Sequence, residues 1–231
     1  MQLMKLGFLG CLSVVGCAVG VGATGSSDND PNGGQGDSGP LELPSTDGGL
    51  DVVGSNVDSS PTTADAGSSC AASTGVLVTY DFTGQPGNQT STAATSTMAG
   101  ATAGSAARST SITAVAGAGS INASDWSTSS IDPTRYYTLT VTPSGSCALD
   151  ITSVSIDTKA SGTGPSTAAI ATSDDNFVTM SSFTPGTVQV VSLSVTGATT
   201  AVEVRIYGYS ASGTEGTLRI ENTLTVSGAL Q

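Results

Sequence analysis

Beyond the first third of the chain, apolar and polar residues alternate. A period of two is typical of β-strands that bury one face, so each alternating segment predicts a strand. Six clear segments and three weaker ones predict about nine strands: 76–83, 135–142, 149–156, 187–195, 201–207 and 217–226, and then 111–116, 167–172 and 177–180. The parity of the apolar positions changes within 149–156, which predicts a β-bulge near Thr152–Ser153.

Turn-forming residues separate these segments, and no stretch has the period of an amphipathic helix. Short strands joined by Gly and Pro turns favour an all-β fold, a single antiparallel β-sandwich. Residues 73–231 are long enough to enclose one core between two sheets. Residues 91–119 are rich in Ala, Ser, Thr and Gly, so we expect a long surface loop around one strand there.

The first residues have the pattern of an export signal. One Lys precedes the apolar run 6–15, which is too short to span a bilayer but fits a secretory signal. Residues 14–17 (VVGC) are similar to a bacterial lipobox, in which the chain is cut before a cysteine that receives the lipid. This predicts a signal peptide at 1–16 and lipidation of Cys17. The alternative is ordinary cleavage after Ala23, which small residues also precede.

Residues 17–72 combine Ser, Asp, Asn, Gly and Pro with one sign of charge and no aromatic side chain. All eight charged residues are acidic: Asp28, Asp30, Asp37, Glu42, Asp47, Asp51, Asp58 and Asp65. Such a segment cannot bury enough apolar surface to offset chain entropy, so it is predicted to be a disordered acidic tether. The whole chain has a net charge of −12, which argues against a nucleic-acid partner, and it lacks His, the commonest general base.

The cysteines fit an oxidising compartment. Cys11 lies inside the predicted signal, and lipidation would use Cys17. Cys70 and Cys147 then remain and can form a disulfide outside the cytoplasm. The alternative is two unpaired thiols, since their spacing matches no zinc-site pattern.

Several motifs in the alternating region occur together in a known kind of domain. They are residues 80–84 (YDFTG), Trp126, 136–143 (YYTLTVTP), 173–177 (SDDNF), 202–209 (VEVRIYGY) and 216–222 (GTLRIEN). With them, residues 75–229 resemble an uncharacterised jelly-roll module of bacterial secreted and surface proteins. The resemblance implies a jelly roll similar to carbohydrate-binding modules and implies no defined activity. Leu218 stands where such modules often have Trp.

Four aromatic residues are candidates for ligand binding. Trp126 lies in a polar segment, and the parity of Tyr136, Tyr207 and Tyr209 directs them away from the apolar face. Exposed aromatic rings on a jelly-roll face are suited to stacking on sugars. The alternatives are that Trp126 closes one end of the sandwich and that Tyr207 and Tyr209 cap the sheet edge.

The acidic residues of the domain suggest three further hypotheses. Jelly-roll modules often hold one structural calcium ion, and Asp81, Asp174 and Glu221 are its candidate ligands. The same acidic side chains can also have roles that need no ligand. Residues 174–176 can form a turn, and surface ion pairs can join Glu203 to Arg205 and Glu221 to Arg219. A carboxylate-dependent glycoside hydrolase is the third hypothesis, although we expect no enzyme because no other catalytic motif occurs.

Together these patterns predict an exported protein of the cell envelope. A lipid on Cys17 would anchor it, and Ala18 after that cysteine favours the outer membrane; without the lipid, the protein would be secreted. The expected function is a binding or adhesion module for a glycan or another surface component, with calcium as the only cofactor considered. The alternative is a structural surface protein with no small ligand.

Overall fold

The structure is a computed structural model that describes residues 69–231. The predicted signal peptide, the lipidation of Cys17 and nearly all of the tether lie outside these residues. The described residues form fifteen strands and one 3₁₀ turn, Ser173–Asp175. The strands are β1 (Ser73–Asp81), β2 (Pro86–Gly87), β3 (Ser91–Thr92), β4 (Ser96–Thr97), β5 (Ala101–Ala103), β6 (Ala106–Arg108), β7 (Thr113–Ala114), β8 (Ser120–Ser124), β9 (Tyr136–Pro143), β10 (Leu149–Ala160), β11 (Pro165–Thr172), β12 (Ser181–Phe183), β13 (Val188–Ala198), β14 (Val202–Ala211) and β15 (Leu218–Leu230).

The strands form two sheets. Sheet I has the order β13-β10-β15-β1-β4, and β8 extends it beside β15 and carries β2 and β7. Sheet II has the order β12-β11-β14-β9-β6-β3, and β5 also pairs with β9. All of these pairs are antiparallel except β2 with β8. The long strand β15 joins the parts of sheet I, because β8 pairs with its first residues and β1 with its last ones.

One hydrophobic core lies between the two sheets. On β9 the inward residues Tyr137, Leu139 and Val141 are buried, and the residues between them are only partly buried. Burial therefore follows the period of two, and the predicted all-β sandwich is confirmed. Two tyrosines bridge the sheets in opposite directions: Tyr80 of β1 donates to Gly104 O at 2.5 Å, and the Tyr137 hydroxyl donates to Leu218 O at 2.5 Å.

Burial keeps both bridging hydroxyls protonated. It raises the pKa of Tyr80 to about 12 and raises that of Tyr137 further. A protonated tyrosine hydroxyl is uncharged and donates its hydrogen to the carbonyl group, so no buried donor lacks a partner. Because both hydroxyls stay protonated, the two hydrogen bonds hold the sheets in register across the physiological pH range.

Individual strand predictions had mixed outcomes. The predicted bulge is confirmed, since β10 shifts register between Ile151 and Ser153 against both of its neighbours. The predicted strand at 177–180 is wrong. Asn176 and Phe177 both have positive φ there, and the Asp175 carboxylate accepts hydrogen bonds from two backbone amides of the following residues. The local turn thus uses the donors that a strand would need.

The expectation of a long surface loop at 91–119 is also wrong. This segment contributes β3 to β7, which are two or three residues long and pair with both sheets. Strands this short show no measurable alternation. The buried apolar residues of the segment are Ala106 and Ile112, and Ala94, Met98, Ala101 and Ala103 pack against the core while partly exposed. Backbone pairing with both sheets places the segment, and these side chains cover the edge of the core.

The corner where β1 begins is cross-linked. Cys70 and Cys147 form the predicted disulfide, which connects the residues before β1 to the turn between β9 and β10. Ala148 and Gln231 exchange backbone hydrogen bonds of 2.7 and 3.0 Å beside it. No helix within residues 69–231 is long and apolar enough to cross a membrane.

Candidate functional site: a groove beside Tyr136

A groove of about 450 Å³ opens on the outer face of sheet II, beside the first residue of β9. Six of its lining residues carry a hydroxyl group: Ser109, Thr110, Ser111, Thr134, Tyr136 and Thr138. Pro133 and Arg108 complete the lining. The walls therefore offer one aromatic ring, one apolar ring and many donors and acceptors that bear no charge.

Tyr136 reaches the groove because of strand alternation. Its neighbour Tyr137 faces the core, so Tyr136 faces outward, where it is half-buried. Ser109 holds its backbone at the rim: the Ser109 N–H donates to Tyr136 O at 2.9 Å, and the Tyr136 N–H donates to Ser109 Oγ at 3.2 Å. Residues 108–111 and β9 thus form one continuous surface.

Arg205 supports Tyr136 from the side opposite the groove. It lies on β14, which pairs with β9 on the edge away from β6. The Arg205 Cζ atom is 4.2 Å from the centre of the Tyr136 ring and 3.9 Å from that of Phe177. Cation–π contacts of this kind contribute about 0.5–1 kcal/mol at partly exposed sites. Tyr136 therefore stands between the Arg205 guanidinium and the groove.

A carboxylate holds this guanidinium in place. Glu203 accepts from Arg205 Nε at 2.7 Å and from Nη2 at 3.1 Å, and the Thr138 hydroxyl donates to the same carboxylate at 2.8 Å. Partial burial alone would raise the pKa of Glu203, but these hydrogen bonds and the charge of Arg205 outweigh it and lower the pKa. Tyr207 adds an edge-on ring contact to Tyr136 at 5.8 Å. The ring of Tyr136 is thus pre-oriented.

Phe177 occupies a strained backbone conformation to reach Arg205. Its φ is +61°, a value that a bulky residue rarely adopts and that costs on the order of 1–3 kcal/mol. Its N–H donates to Thr172 O at 2.9 Å, which fixes the turn. The result is an aromatic ring on the far side of the guanidinium from Tyr136.

The charged groups at the groove's other rim have partners of their own. The Asp132 carboxylate accepts from the Thr134 amide at 2.9 Å and hydroxyl at 2.7 Å, and it pairs with Arg135 at 3.1 Å. The hydrogen bonds from Thr134, followed by the charge of Arg135, lower the pKa of Asp132. Arg135 also donates to Asp125 O.

Arg108 lines the groove but is held by backbone carbonyl groups. It donates to Asn122 O at 2.9 Å, to Gln89 O at 2.5 Å and to Gly87 O. Burial lowers the pKa of Arg108, although the nearby Tyr137 offsets part of this effect. Among the described residues no carboxylate pairs with it. Its guanidinium links β6 to β8 and to the segment that contains β2.

The structure separates the four predicted ligand-binding aromatic residues. Only Tyr136 lines the groove. Trp126 has no exposed surface: its Nε1–H donates to Ala123 O at 2.8 Å, and its ring packs 5.2 Å from that of Tyr137. Tyr207 is 1% exposed, and burial raises its pKa. Trp126 and Tyr207 are packing groups, which corrects the prediction that they contact a ligand.

Tyr209 is half-buried at a different position on sheet II. Its hydroxyl lies 3.4 Å from Ser182 Oγ on the edge strand β12. This contact agrees with the alternative that Tyr209 caps the sheet edge. Tyr209 does not line the groove.

The three predicted calcium ligands lie on separate elements. Asp81 ends β1 and accepts from the Thr83 amide, Asp174 is in the 3₁₀ turn, and Glu221 pairs with Arg219 at 2.6 Å. Within residues 69–231 no three acidic or cysteine side chains converge as a metal site would require. Asp81 and Glu221 lie on neighbouring strands of sheet I, whereas Asp174 follows β11 of sheet II, so these three carboxylates do not converge on one ion site.

Sequence reasoning did not assign three residues to this site. Arg205 was predicted only as part of an ion pair with Glu203, and that pair is confirmed. The signal for its position was strand alternation, because Arg205 has the same parity as Tyr207 and so belongs to the outer face. Phe177 carried no usable signal, because its position depends on two consecutive left-handed residues. Arg108 gave none either, since its carbonyl partners lie 14 to 21 residues away in the chain.

No family model matches the chain, and no curated protein or solved structure matches it. The fold and the groove define the class of this domain: an all-β sandwich with a hydroxyl-lined groove that has one aromatic wall.

Proposed function

We propose that this chain is an exported envelope protein, anchored by a lipid on Cys17, whose jelly-roll domain binds a glycan in the groove beside Tyr136. The observation that carries the proposal is the composition of the groove, with one supported aromatic ring and six hydroxyl-bearing residues in about 450 Å³. Ligand sites commonly have volumes of roughly 300–1,000 Å³. The volume of the groove lies in this range, so the groove has room for a glycan unit.

The chemistry of a sugar ring matches the two kinds of wall. The C–H bonds of a pyranose form an apolar face that packs on an aromatic ring, and its rim carries hydroxyl groups that both donate and accept hydrogen bonds. Ser and Thr hydroxyls do the same. Because Arg205 and Glu203 hold Tyr136 in one orientation, binding does not have to order the ring first, which reduces the entropic cost.

Binding without hydrolysis is the simpler role for these residues. A glycosidase needs a carboxylic acid whose pKa is raised. The hydrogen bonds described above instead lower the pKa of Asp132 at the groove and of Glu203 behind Tyr136. We therefore propose a binding module and no catalytic residue.

Affinity electrophoresis in soluble glycans and sedimentation with insoluble glycans test the site. We expect wild-type protein to bind at least one glycan and Tyr136→Ala to lose about tenfold or more in affinity, since a stacked aromatic ring contributes on the order of 1.5 kcal/mol. Tyr209→Ala is the matched control, because it removes a half-buried tyrosine of the same sheet outside the groove.

Thermal melting should show that both variants fold. Absence of binding to every glycan by the folded wild-type protein would reject the glycan site and favour the ligand-free structural surface protein. Equal loss of affinity in Tyr136→Ala and Tyr209→Ala would place binding elsewhere on the domain.

Metabolic labelling with palmitate tests the anchor separately. We expect label in the wild-type chain and none in Cys17→Ser. An unlabelled mature protein that begins at Thr24 would instead establish ordinary cleavage after Ala23 and secretion without a lipid.

A further inference from the structure

Two basic side chains lie opposite each other on sheet I. Lys159 of β10 pairs in register with Arg219 of β15, so both side chains project from the same face. The two residues line a cavity of about 150 Å³ together with Ala160, Ser161 and Thr217. Like charges in directly opposed positions destabilise a sheet. Glu221 offsets the charge of Arg219, so Lys159 is the cation of this pair for which the described residues provide no ion pair.

Lys159 differs from the other basic residues of the domain in its partners. Arg135, Arg205 and Arg219 each pair with a carboxylate, and Arg108 donates to carbonyl groups. The Lys159 side chain is exposed and has no ion pair or hydrogen bond within residues 69–231. It retains all three ammonium donors.

Arg219 also keeps donors for a ligand. Its Nε is 2.6 Å from Glu221 Oε1, and its terminal nitrogens have no partner among the described residues. Ser161 Oγ accepts the Thr217 N–H at 2.8 Å, so its own hydroxyl hydrogen is available to donate. The other nearby carboxylate is Asp157, which accepts from Asn222 Nδ2 at 2.7 Å. The acidic neighbours are thus engaged, whereas the Lys159 ammonium, the Ser161 hydroxyl hydrogen and the terminal nitrogens of Arg219 have no hydrogen bond within residues 69–231.

We propose that this cavity binds one small oxyanion, a phosphate or sulfate group, between Lys159 and Arg219. Charge-assisted hydrogen bonds from an ammonium, a guanidinium and a hydroxyl suit a tetrahedral anion with several acceptor oxygens. The site is on sheet I, so it is separate from the groove on sheet II and independent of the proposed glycan binding.

The test uses the full chain with inorganic phosphate and inorganic sulfate as probes. Both salts should raise the melting temperature more than sodium chloride of the same ionic strength. NMR of the Lys159 side chain should show saturable shifts, since this is the only lysine in residues 69–231. Lys159→Gln should weaken binding about tenfold or more, the loss expected for one charged hydrogen-bond partner.

Asn88→Asp is the matched control, because it changes the net charge by the same amount at an exposed position outside the cavity. It should keep wild-type affinity. Equal stabilisation of wild type and Lys159→Gln by phosphate, or equal stabilisation by chloride, would overturn the proposal. If Lys159→Gln fails to fold, an unchanged Lys159 signal in the titrated wild type would overturn it too.

Vesicles identify the source of the anion. Sedimentation of the protein with phosphatidylcholine vesicles that contain phosphatidylglycerol, abolished by Lys159→Gln, would assign the group to a lipid headgroup. Binding of the inorganic anions without sedimentation would assign it to a soluble or glycan-borne group. Either result supports the site.

Discussion

Arg108 shows how one side chain can replace several missing partners. Gly87, Gln89 and Asn122 lie outside the ladders that β6 forms with β3 and β9, and each of their carbonyl groups accepts a side-chain donor. A single guanidinium supplies all three. The charge remains inside the domain because its hydrogen bonds compensate for the lost hydration.

Arg108→Met should destabilise the domain by about 2–4 kcal/mol, because it keeps the apolar stem and removes a donor from three carbonyl groups, although the Asn122 carbonyl still accepts from the Val115 N–H. Urea unfolding measures the change. Arg219→Met is the control, since it breaks a partly exposed ion pair and should cost less than about 1 kcal/mol. Equal losses in the two variants would contradict the structural role of Arg108.

Trp126 is the residue for which the sequence left both a binding and a packing role open. Asp125 has a φ of +64°, which turns the chain so that the next side chain enters the core. A Cβ atom on Gly208 would lie 3.0 Å from Trp126 Cε3, so the strand beneath it needs a glycine. The indole therefore packs on bare backbone.

Trp126→Ala should cost about 3–5 kcal/mol of unfolding free energy through the cavity that it leaves. Chemical denaturation measures this loss. Glycan affinity, measured at a temperature where the variant is fully folded, should stay within about twofold of wild type. A large loss of affinity in the folded variant would restore the ligand-binding role.

At the scale of elements, the 3₁₀ turn after β11 depends on one ionised side chain. Asp175 accepts from the Val178 amide at 3.1 Å and the Thr179 amide at 2.8 Å. Hydrogen bonds from Thr179, with a smaller share from Val178, lower the pKa of Asp175. The turn positions Phe177 against Arg205, so this carboxylate also supports the groove indirectly.

The pKa of Asp175 is lower in the folded protein than in the unfolded chain, where it is about 3.9. Its ionised carboxylate therefore stabilises the folded state fully above the unfolded pKa, and this stabilisation is lost as the pH falls through the folded pKa. Stability should therefore decrease from about pH 5 downward, with Asp132 and Glu203 acting in the same direction. Asp175→Asn should show a shallower decrease in urea midpoint than wild type. Identical pH profiles would rule out this role for Asp175.

At the scale of the whole molecule, the disulfide is the one covalent cross-link among residues 69–231. It joins residues 77 positions apart and fixes the start of β1 at the corner where Ala148 meets Gln231. A loop of this length corresponds to about 4 kcal/mol of entropic stabilisation. Full stability of the domain therefore requires that this disulfide stays oxidised.

The double variant Cys70→Ser/Cys147→Ser should lose about 4 kcal/mol in urea unfolding. Dithiothreitol should destabilise wild-type protein by a similar amount and leave the double variant unchanged, which controls for effects of the reductant. A double variant as stable as the oxidised wild type would show that the cross-link does not constrain the unfolded chain.

The all-β class, most inward faces of the long strands, the bulge in β10 and the disulfide were predictable from the sequence. These features are local or compositional: side chains alternate along any strand, and Cys70 and Cys147 are the two cysteines outside the predicted signal and lipobox. The strands between 91 and 119 were not predictable, because strands of two or three residues carry no period. Their pairing depends on partners distant in the chain.

The sequence by itself therefore determined the buried face of most long strands and that Tyr136 and Arg205 would point outward. The start of β1 is an exception, because a register shift between Val76 and Val78 exposes Val76 and buries Leu77. Only the tertiary structure decided that these two side chains touch, that Phe177 covers the guanidinium, and that Trp126 is inside. The physical reason is that alternation is a property of a single strand, whereas a site requires strand order and loop conformation. Backbone pairing between segments far apart in the chain sets the strand order.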